Sequence, residues 1–346
     1  MRINHISRAF GVSLALLGAA LNAPSATAQT LDKVRIAAQV WYPSFAMYVA
    51  KEAGFYKKWG IDPEFKVYPS GAPIAQAAAT NEWDVAQIGA PPFMQAAAKL
   101  GLKAVGAISE EAVMHELIVR PDFYEAVKKD PAKIKGSKVF ITTASTGHYM
   151  VEACLKKMGL SMSDIQVLPS EQPASLAAFM AGNGDMAQLW APQSTVAREK
   201  GMKTLCDGIQ AGLEIPSVWA LAPDFAKKHP DVAARWLRAT LEGAEWASKD
   251  RARTMALYKK WDEFRGSQTS DNILNEEVTL AMGLWPLQTQ FEKMKGKPGE
   301  QTPYIDRSLN GIADFFIRLG RWKEKPNVAA MIDTSFLDKA AALPPR

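Results

Sequence analysis

A chain of 346 residues has the length of about two domains. Hydrophobic residues at 48%, charged residues at 22%, and 23 Gly with 21 Pro are ordinary globular composition, which excludes collagen-like and disordered chains. The net charge of +5 comes without a clustered basic face or interleaved aromatic platforms, so nucleic-acid binding is set aside, and two cysteines exclude a disulfide scaffold or a Cys-rich metal site.

The chain opens on Arg2, His5 and Arg8, runs apolar from Ala9 to Leu21, and then carries Asn22, Pro24 and the small-residue site Ala26-Thr27-Ala28. This is the pattern of a secretory signal peptide cleaved after Ala28, and its apolar run of about thirteen residues is short of the ~20 that span a bilayer. The mature chain is expected to begin at Gln29, with no lipid anchor because no Cys stands at the cleavage site. In an exported protein Cys154 and Cys206 could pair, but their spacing says nothing of their distance in space. Two buried free thiols are the expectation.

From Lys33 onward, β-branched runs alternate with helical patterns. A strand is predicted over 34–38, and a helix over 44–59 with Phe45, Val49, Ala53 and Tyr56 on one face. Strand 64–68, helix 72–80, strand 84–88, helix 92–100 with Pro in its first turn, and strand 104–108 follow. The pattern pauses around 117–120 and starts again. Strand 138–142, helix 147–158, strand 165–168, helix 173–180, strand 186–190, helix 195–200 and strand 204–206 make a second series. After an extended run over 217–221 the chain is almost wholly helical, best seen over 231–247, where Val232, Trp236, Ala239, Gly243 and Trp246 form a packing stripe.

Alternation of this kind implies mainly parallel sheets covered on both faces. The class is α/β: two Rossmann-like lobes joined by two hinge strands, with a helical C-terminal region. The divisions are a signal peptide over 1–28, first lobe 29–118, second lobe 119–217, and a return to the first lobe plus C-terminal helices over 218–346. Ligands in such sheets bind beyond the carboxyl ends of the strands, and two lobes turn those ends into a closable cleft.

Motifs for catalysis fail on context. Gly182-Asn183-Gly184-Asp185-Met186-Ala187 matches a dinucleotide fingerprint, but it follows a helix and opens a strand, the reverse of what that site needs. His115-Glu116 starts like a zinc-protease helix, yet position 119 is Val, and the four histidines are scattered. No catalytic residue, metal or cofactor is predicted.

The strand ends are more informative. Gln39, Val40, Trp41 and Tyr42 follow the first strand, where the aromatics either wall a ligand or pack in the core. Gly89 and Ala90 follow the third, where Gly permits close backbone approach, although turn geometry alone would also explain it. In the second lobe, Thr143-Ala144-Ser145-Thr146-Gly147-His148 leads into a helix with no early carboxylate. Free N–H groups and the positive dipole end make an anion seat there, while ordinary capping by Ser145 or Thr146 is the competing account. Trp190 ends the strand over 186–190, and Trp219 sits near another predicted loop end. With Trp41 and Tyr42 these rings favour an organic body over a bare inorganic ion.

The run AKEAGFYKKWGID after the first strand and DVAQIGAPPF at the third resemble the solute-binding proteins for sulfonates, taurine and nitrate. STGHYMVEACLKKMGLSMSDIQV and AAFMAGNGDMAQLWAP in the second lobe strengthen that resemblance, which covers about residues 33 to 250. It implies a type II periplasmic binding protein fold and a periplasmic receptor. Such a receptor captures a small anionic organic solute and delivers it to a membrane permease with a cytoplasmic ATPase. It also implies a monomer without nucleic acid or cofactor. Carried over by motif, Ser145, Thr146, Gly147 and His148 hold the anionic head. Gln39 to Tyr42, Gly89 and Ala90 supply first-lobe contacts, and Trp190 supplies an indole. This chain departs from the pattern at Ala144, where Gly is frequent, and at Ala191 and Gln193, where Asp and Tyr are frequent. The alternatives are another small solute, such as nitrate, an aromatic acid or a vitamin precursor, or an enzyme on the same fold. The related synthases are cytosolic and carry a Cys-rich iron motif, which two cysteines and a signal peptide argue against.

Overall fold

In the computed structural model, which describes residues 30–267 and 269–344, the apolar runs form two separate five-stranded sheets. The expected signal peptide and its cleavage site lie outside the described residues. In chain order the strands are β1 (Asp32–Gln39), β2 (Ile61–Tyr68), β3 (Val85–Gly89), β4 (Lys103–Glu110) and β5 (His115–Val119). Then come β6 (Lys138–Ile141), β7 (Gln166–Pro169), β8 (Met186–Trp190), β9 (Lys203–Asp207) and β10 (Pro216–Leu221).

The first sheet has the order β2-β1-β3-β10-β4 and the second the order β7-β6-β8-β5-β9. In each, one strand runs against its neighbours: β10 is antiparallel to β3 and β4, and β5 is antiparallel to β8 and β9. Each odd strand comes from the far side of a crossing, so each lobe is completed by chain that has visited the other. β3, β5, β8 and β10 are buried at every position, as expected of inner strands covered by helices on both faces. This is the type II periplasmic-binding-protein fold.

Several local expectations are corrected. The pause around 117–120 is an inner strand, β5, because its five residues are apolar enough to be buried from both sides. The chain therefore passes between sheets over 111–114 and 208–215, a few residues before the expected crossings. The single helix over 44–59 is a 3-10 turn at Tyr42–Ser44, a helix Phe45–Glu52 and a short helix Phe55–Lys58. Gly54, at φ +80, breaks it by taking the left-handed conformation that ends helices. Cys154 and Cys206 are not free thiols. The helix Thr146–Lys157 packs on β9, brings their Cα atoms to 6.1 Å, and a disulfide joins them.

After β10 the chain turns into helices, led by Pro230–Lys249, and its Trp236 meets Trp219 of β10 edge to face at 6.1 Å. Later helices also reach the second lobe. Phe315 packs on His148 and Tyr149, Arg318 pairs with Glu152 at 2.7 Å, and Glu276 holds Arg198 and Thr195.

Candidate functional site

The carboxyl ends of β1 and β3 meet those of β6 and β8 around a small cavity. Six of the expected residues line it: Gln39, Trp41 and Gly89 from the first lobe, and Ser145, Thr146 and Trp190 from the second. Tyr42, Ala90, Gly147, His148 and Trp219 do not. Tyr42 is buried behind Trp41 with its hydroxyl 3.2 Å from Ser109 Oγ, and Ala90 is buried in the first turn of its helix. Trp219 lies inside β10 rather than at a loop end, because β10 is inserted between two strands.

Buried polar staples hold the first-lobe wall. The Gln39 N–H is shared between Ser44 Oγ at 2.8 Å and Gln87 Oε1 at 3.4 Å. One residue on, the Val40 carbonyl accepts from the Arg265 guanidinium at 2.8 Å, and Arg265 is itself held by Asp262 and Glu277. In the second lobe, Gln172 accepts the Trp190 N–H at 2.9 Å and donates to Thr142 Oγ1 and to the Gln188 carbonyl. That one amide ties the ends of β6 and β8 together and sets the indole's height over the cavity.

The turn before the helix Thr146–Lys157 is unusual at Ala144, a non-glycine residue at φ +58. Its N–H donates to His148 Nδ1 at 3.0 Å, and its carbonyl accepts from Gln95 of the first lobe at 3.3 Å. Both accounts of Ser145 hold in part. It lines the cavity, but its hydroxyl accepts the His148 N–H at 3.2 Å and donates to the Thr142 carbonyl at 2.6 Å, so it is a cap. Thr146, like Ser70 from the first lobe, keeps a hydroxyl with no hydrogen-bond partner among the described residues. A Cβ on Gly89 would stand 3.0 Å from Thr146 Oγ1, so the lobes approach this closely only because Gly89 has no side chain. Gly147 serves a different purpose: a Cβ there would come within 1.9 Å of the buried Gln188 amide.

The electrostatics of this corner favour an anion. The helix presents its positive end with no acidic residue in the first turn. Arg321, which has no ion-pair partner among the described residues, lines the open groove that continues from the cavity past Gln95, Thr143 and Ala144. His148 adds no charge, because burial pushes its pKa down to about 4.

Glu111 and His115 also line the cavity, and the sequence reading weighed His115 only as a metal ligand. They flank the first crossing, and both are buried. Glu111 Oε1, both His115 nitrogens, Trp41 Nε1 and Ser70 Oγ have no hydrogen-bond partner among the described residues. The rings of Trp41, His115 and Trp190 form a triangle with centroids 5.6 to 6.2 Å apart. Ionisable groups beside a chain crossing were the available signal, but only the meeting of two lobes buries them.

A family model described as NMT1/THI5 like matches residues 43–253, more than half of the chain. The chain is similar to the taurine-binding periplasmic protein of Escherichia coli (strain K12), 28% identical over 197 residues. That match spans 55% of this chain and 59% of the relative, less than two thirds of its length. In fold it is similar to the periplasmic aliphatic sulphonate binding protein SsuA of Escherichia coli, with a TM-score of 0.71 at 20% identity, covering 89% of this chain and 99% of that one. The alkanesulfonate-binding protein SsuA of Xanthomonas axonopodis pv. citri, bound to MOPS, gives a TM-score of 0.70 at 19% identity, covering 87% and 98%.

Proposed function

The chain belongs to the NMT1/THI5-like family, and from that premise we propose that it is the solute-capturing component of an ATP-driven importer. It holds a small organic anion of sulfonate type between its lobes and releases it unchanged to a membrane permease served by a cytoplasmic ATPase. It works in the periplasm after cleavage behind Ala28, which N-terminal sequencing of the exported protein at Gln29 would check. The observation that carries this reading is the interlobe cavity closed by the start of the helix Thr146–Lys157, with Arg321, unpaired among the described residues, beside it. Relatives named for taurine and aliphatic sulphonates support the chemical class.

A sulfonate has three acceptor oxygens and one charge. The helix start offers first-turn N–H groups with no intrahelical partner, the Thr146 hydroxyl and a positive dipole end, while Gln39 offers an amide from the opposite lobe. Trp41 and Trp190 flank the organic body. Tyr42, Ala90, Gly147 and His148 act from behind, by holding these groups in place.

Thr146→Asp is the test, because it puts a carboxylate where the ligand's charge belongs. Acidic residues in the first turn stabilise helices, so the variant should fold normally. Gly147→Asp, the other substitution the sequence suggests, would drive into Gln188 and confuse loss of fold with loss of binding. In a thermal-shift screen with taurine and alkanesulfonates, a ligand at 100 times its Kd should add about 2.7 kcal/mol to the wild type. Thr146→Asp should show no such gain. Wild-type affinity for a sulfonate in that variant would place the head elsewhere.

A further inference from the structure

Resting on the reading just given, we propose that the solute carries a second anionic group, a carboxylate, seated outside the cavity between Arg321 and Lys99. Among the described arginines one stands apart. Every other one spends its guanidinium on a carboxylate, a carbonyl or a hydroxyl. The Arg321 guanidinium has no hydrogen bond, ion pair or ring contact among the described residues. Its backbone is nonetheless fixed, because the Arg321 N–H donates to the Phe316 carbonyl at 2.9 Å where the helix Tyr304–Arg318 ends.

The place of that free cation relates it to the cavity. Ala72 and Pro92 of the first lobe and Thr143 and Ala144 of the second line both the cavity and the groove that holds Arg321. These four residues form a shared mouth, crossed by the bond from Gln95 to the Ala144 carbonyl at 3.3 Å. From the mouth the groove follows the helix Ala90–Leu100 outward to Lys99, two turns past Pro92 and about 10 Å along the axis. Lys99 also has no hydrogen bond or ion pair among the described residues. No Asp or Glu among them lines the groove, so its two positive charges stand uncompensated. Between the mouth and the cations the walls include Ala75, Ala79 and Ala96, whose short side chains leave room for an organic chain.

A monoanion held at the helix start meets Thr146 and the first-turn N–H groups, but it leaves Arg321 and Lys99 without counter-charge. A second anionic group at the far end of the solute meets both. A guanidinium presents paired N–H groups that match the two oxygens of a carboxylate, and a lysine ammonium adds a point charge beside them. The groove is open to water, where such contacts are individually weak and fade with salt. The seat therefore selects among anions whose heads the cavity already holds, and it favours long dianions over short monoanions.

Calorimetric titration of the full mature chain at low salt tests this with probe pairs that differ in a terminal carboxylate: 4-sulfobenzoate against benzenesulfonate, and 6-sulfohexanoate against hexane-1-sulfonate. Taurine serves as the reference for the cavity alone. The carboxylate member of at least one pair should bind about fivefold to tenfold tighter, and the ratio should shrink toward one as salt rises to about 0.5 M. Arg321→Gln combined with Lys99→Gln should bring the low-salt ratio to about one. The melting midpoint should not change, since neither side chain has a partner to lose. Carboxylate members that bind no tighter in either pair would overturn the inference and leave the anion-binding reading standing. Binding of taurine but of no longer probe would do the same. A preference that survives the double substitution would overturn the proposed seat. Binding of none of these probes would overturn the sulfonate-type reading and the inference with it.

Discussion

Acid should loosen the turn at Ser145 through His148. The imidazole is 4% exposed, and burial pushes its pKa down to about 4 against a smaller upward pull from Glu152. Its Nδ1 must be bare to accept the Ala144 N–H at 3.0 Å. In the unfolded chain the same group titrates near about 6.5. Between those two values the unfolded state holds a proton that the folded state refuses. Stability is therefore whole above about pH 6.5 and is lost as pH falls toward about 4. At 1.36 kcal/mol per pH unit the whole gap is worth about 3 kcal/mol, of which about 2 kcal/mol goes between pH 7 and pH 5. His148→Asn keeps an acceptor near the Nδ1 position and removes the titration. Urea unfolding of both proteins across that range, followed by tryptophan fluorescence, should show the wild type losing about 2 kcal/mol more than the variant. His115 is pushed down to about 3, contributes with the same sign in both proteins, and cancels. Curves that fall in parallel would refute the reasoning.

Ala144→Gly should raise stability by up to about 1 kcal/mol, because the left-handed backbone at φ +58 costs Ala about 1–2 kcal/mol and the added freedom of the unfolded chain returns only part of it; a lower urea midpoint would count against this. Reducing the Cys154–Cys206 disulfide, which spans 52 residues, should cost about 4 kcal/mol by the chain-entropy relation, read as a fall in melting midpoint with reductant. No change with complete reduction would place the constraint elsewhere. Small-angle scattering should show the protein becoming more compact when saturated with a sulfonate that stabilises it, since the two crossings allow the lobes to swing. An identical radius in both states would argue for a fixed cleft.

The two series of strands were legible because β-branched runs bounded by helical patterns leave few other folds. What could not be read was which lobe each run near a crossing joins. Leu117-Ile118-Val119 and Val218-Trp219-Ala220 look like any buried strand, and only pairing with β8 and β3 assigns them to opposite sheets. That ambiguity carried Trp219 into the expected site: its residue type matches Trp41, but a strand interior and a strand end are the same letters in sequence. The anion corner was legible in outline, since hydroxyls, Gly and a helix start lie next to one another in the chain. The division of labour within it was not, because Ser145 caps and Thr146 faces the cavity according to which way each side chain leaves the turn. Glu111 escaped notice, and His115 was weighed only as a metal ligand, for a related reason: their burial is made by residues far away in the chain.

Those buried groups also bear on when the cleft closes. Across the lobes, Arg198 with Glu276 and Arg318 with Glu152 are partly exposed pairs, and Arg307 with Glu214 is another at the second crossing. Such pairs contribute about 0.2–1 kcal/mol each and weaken with salt, so they bias closure without enforcing it. Against them stand Glu111, His115, Trp41 and Ser70, whose polar atoms are buried and unpartnered among the described residues. Each unmet polar group of that kind costs about 1–3 kcal/mol. An empty cleft therefore pays for shutting at its centre more than its rim returns. A ligand that meets those groups reverses the sign, and it does so at the crossing turn Ala112–Met114, where a small change in contact moves a whole lobe. Closure is then set by the chemistry inside the cavity more than by the pairs at its rim.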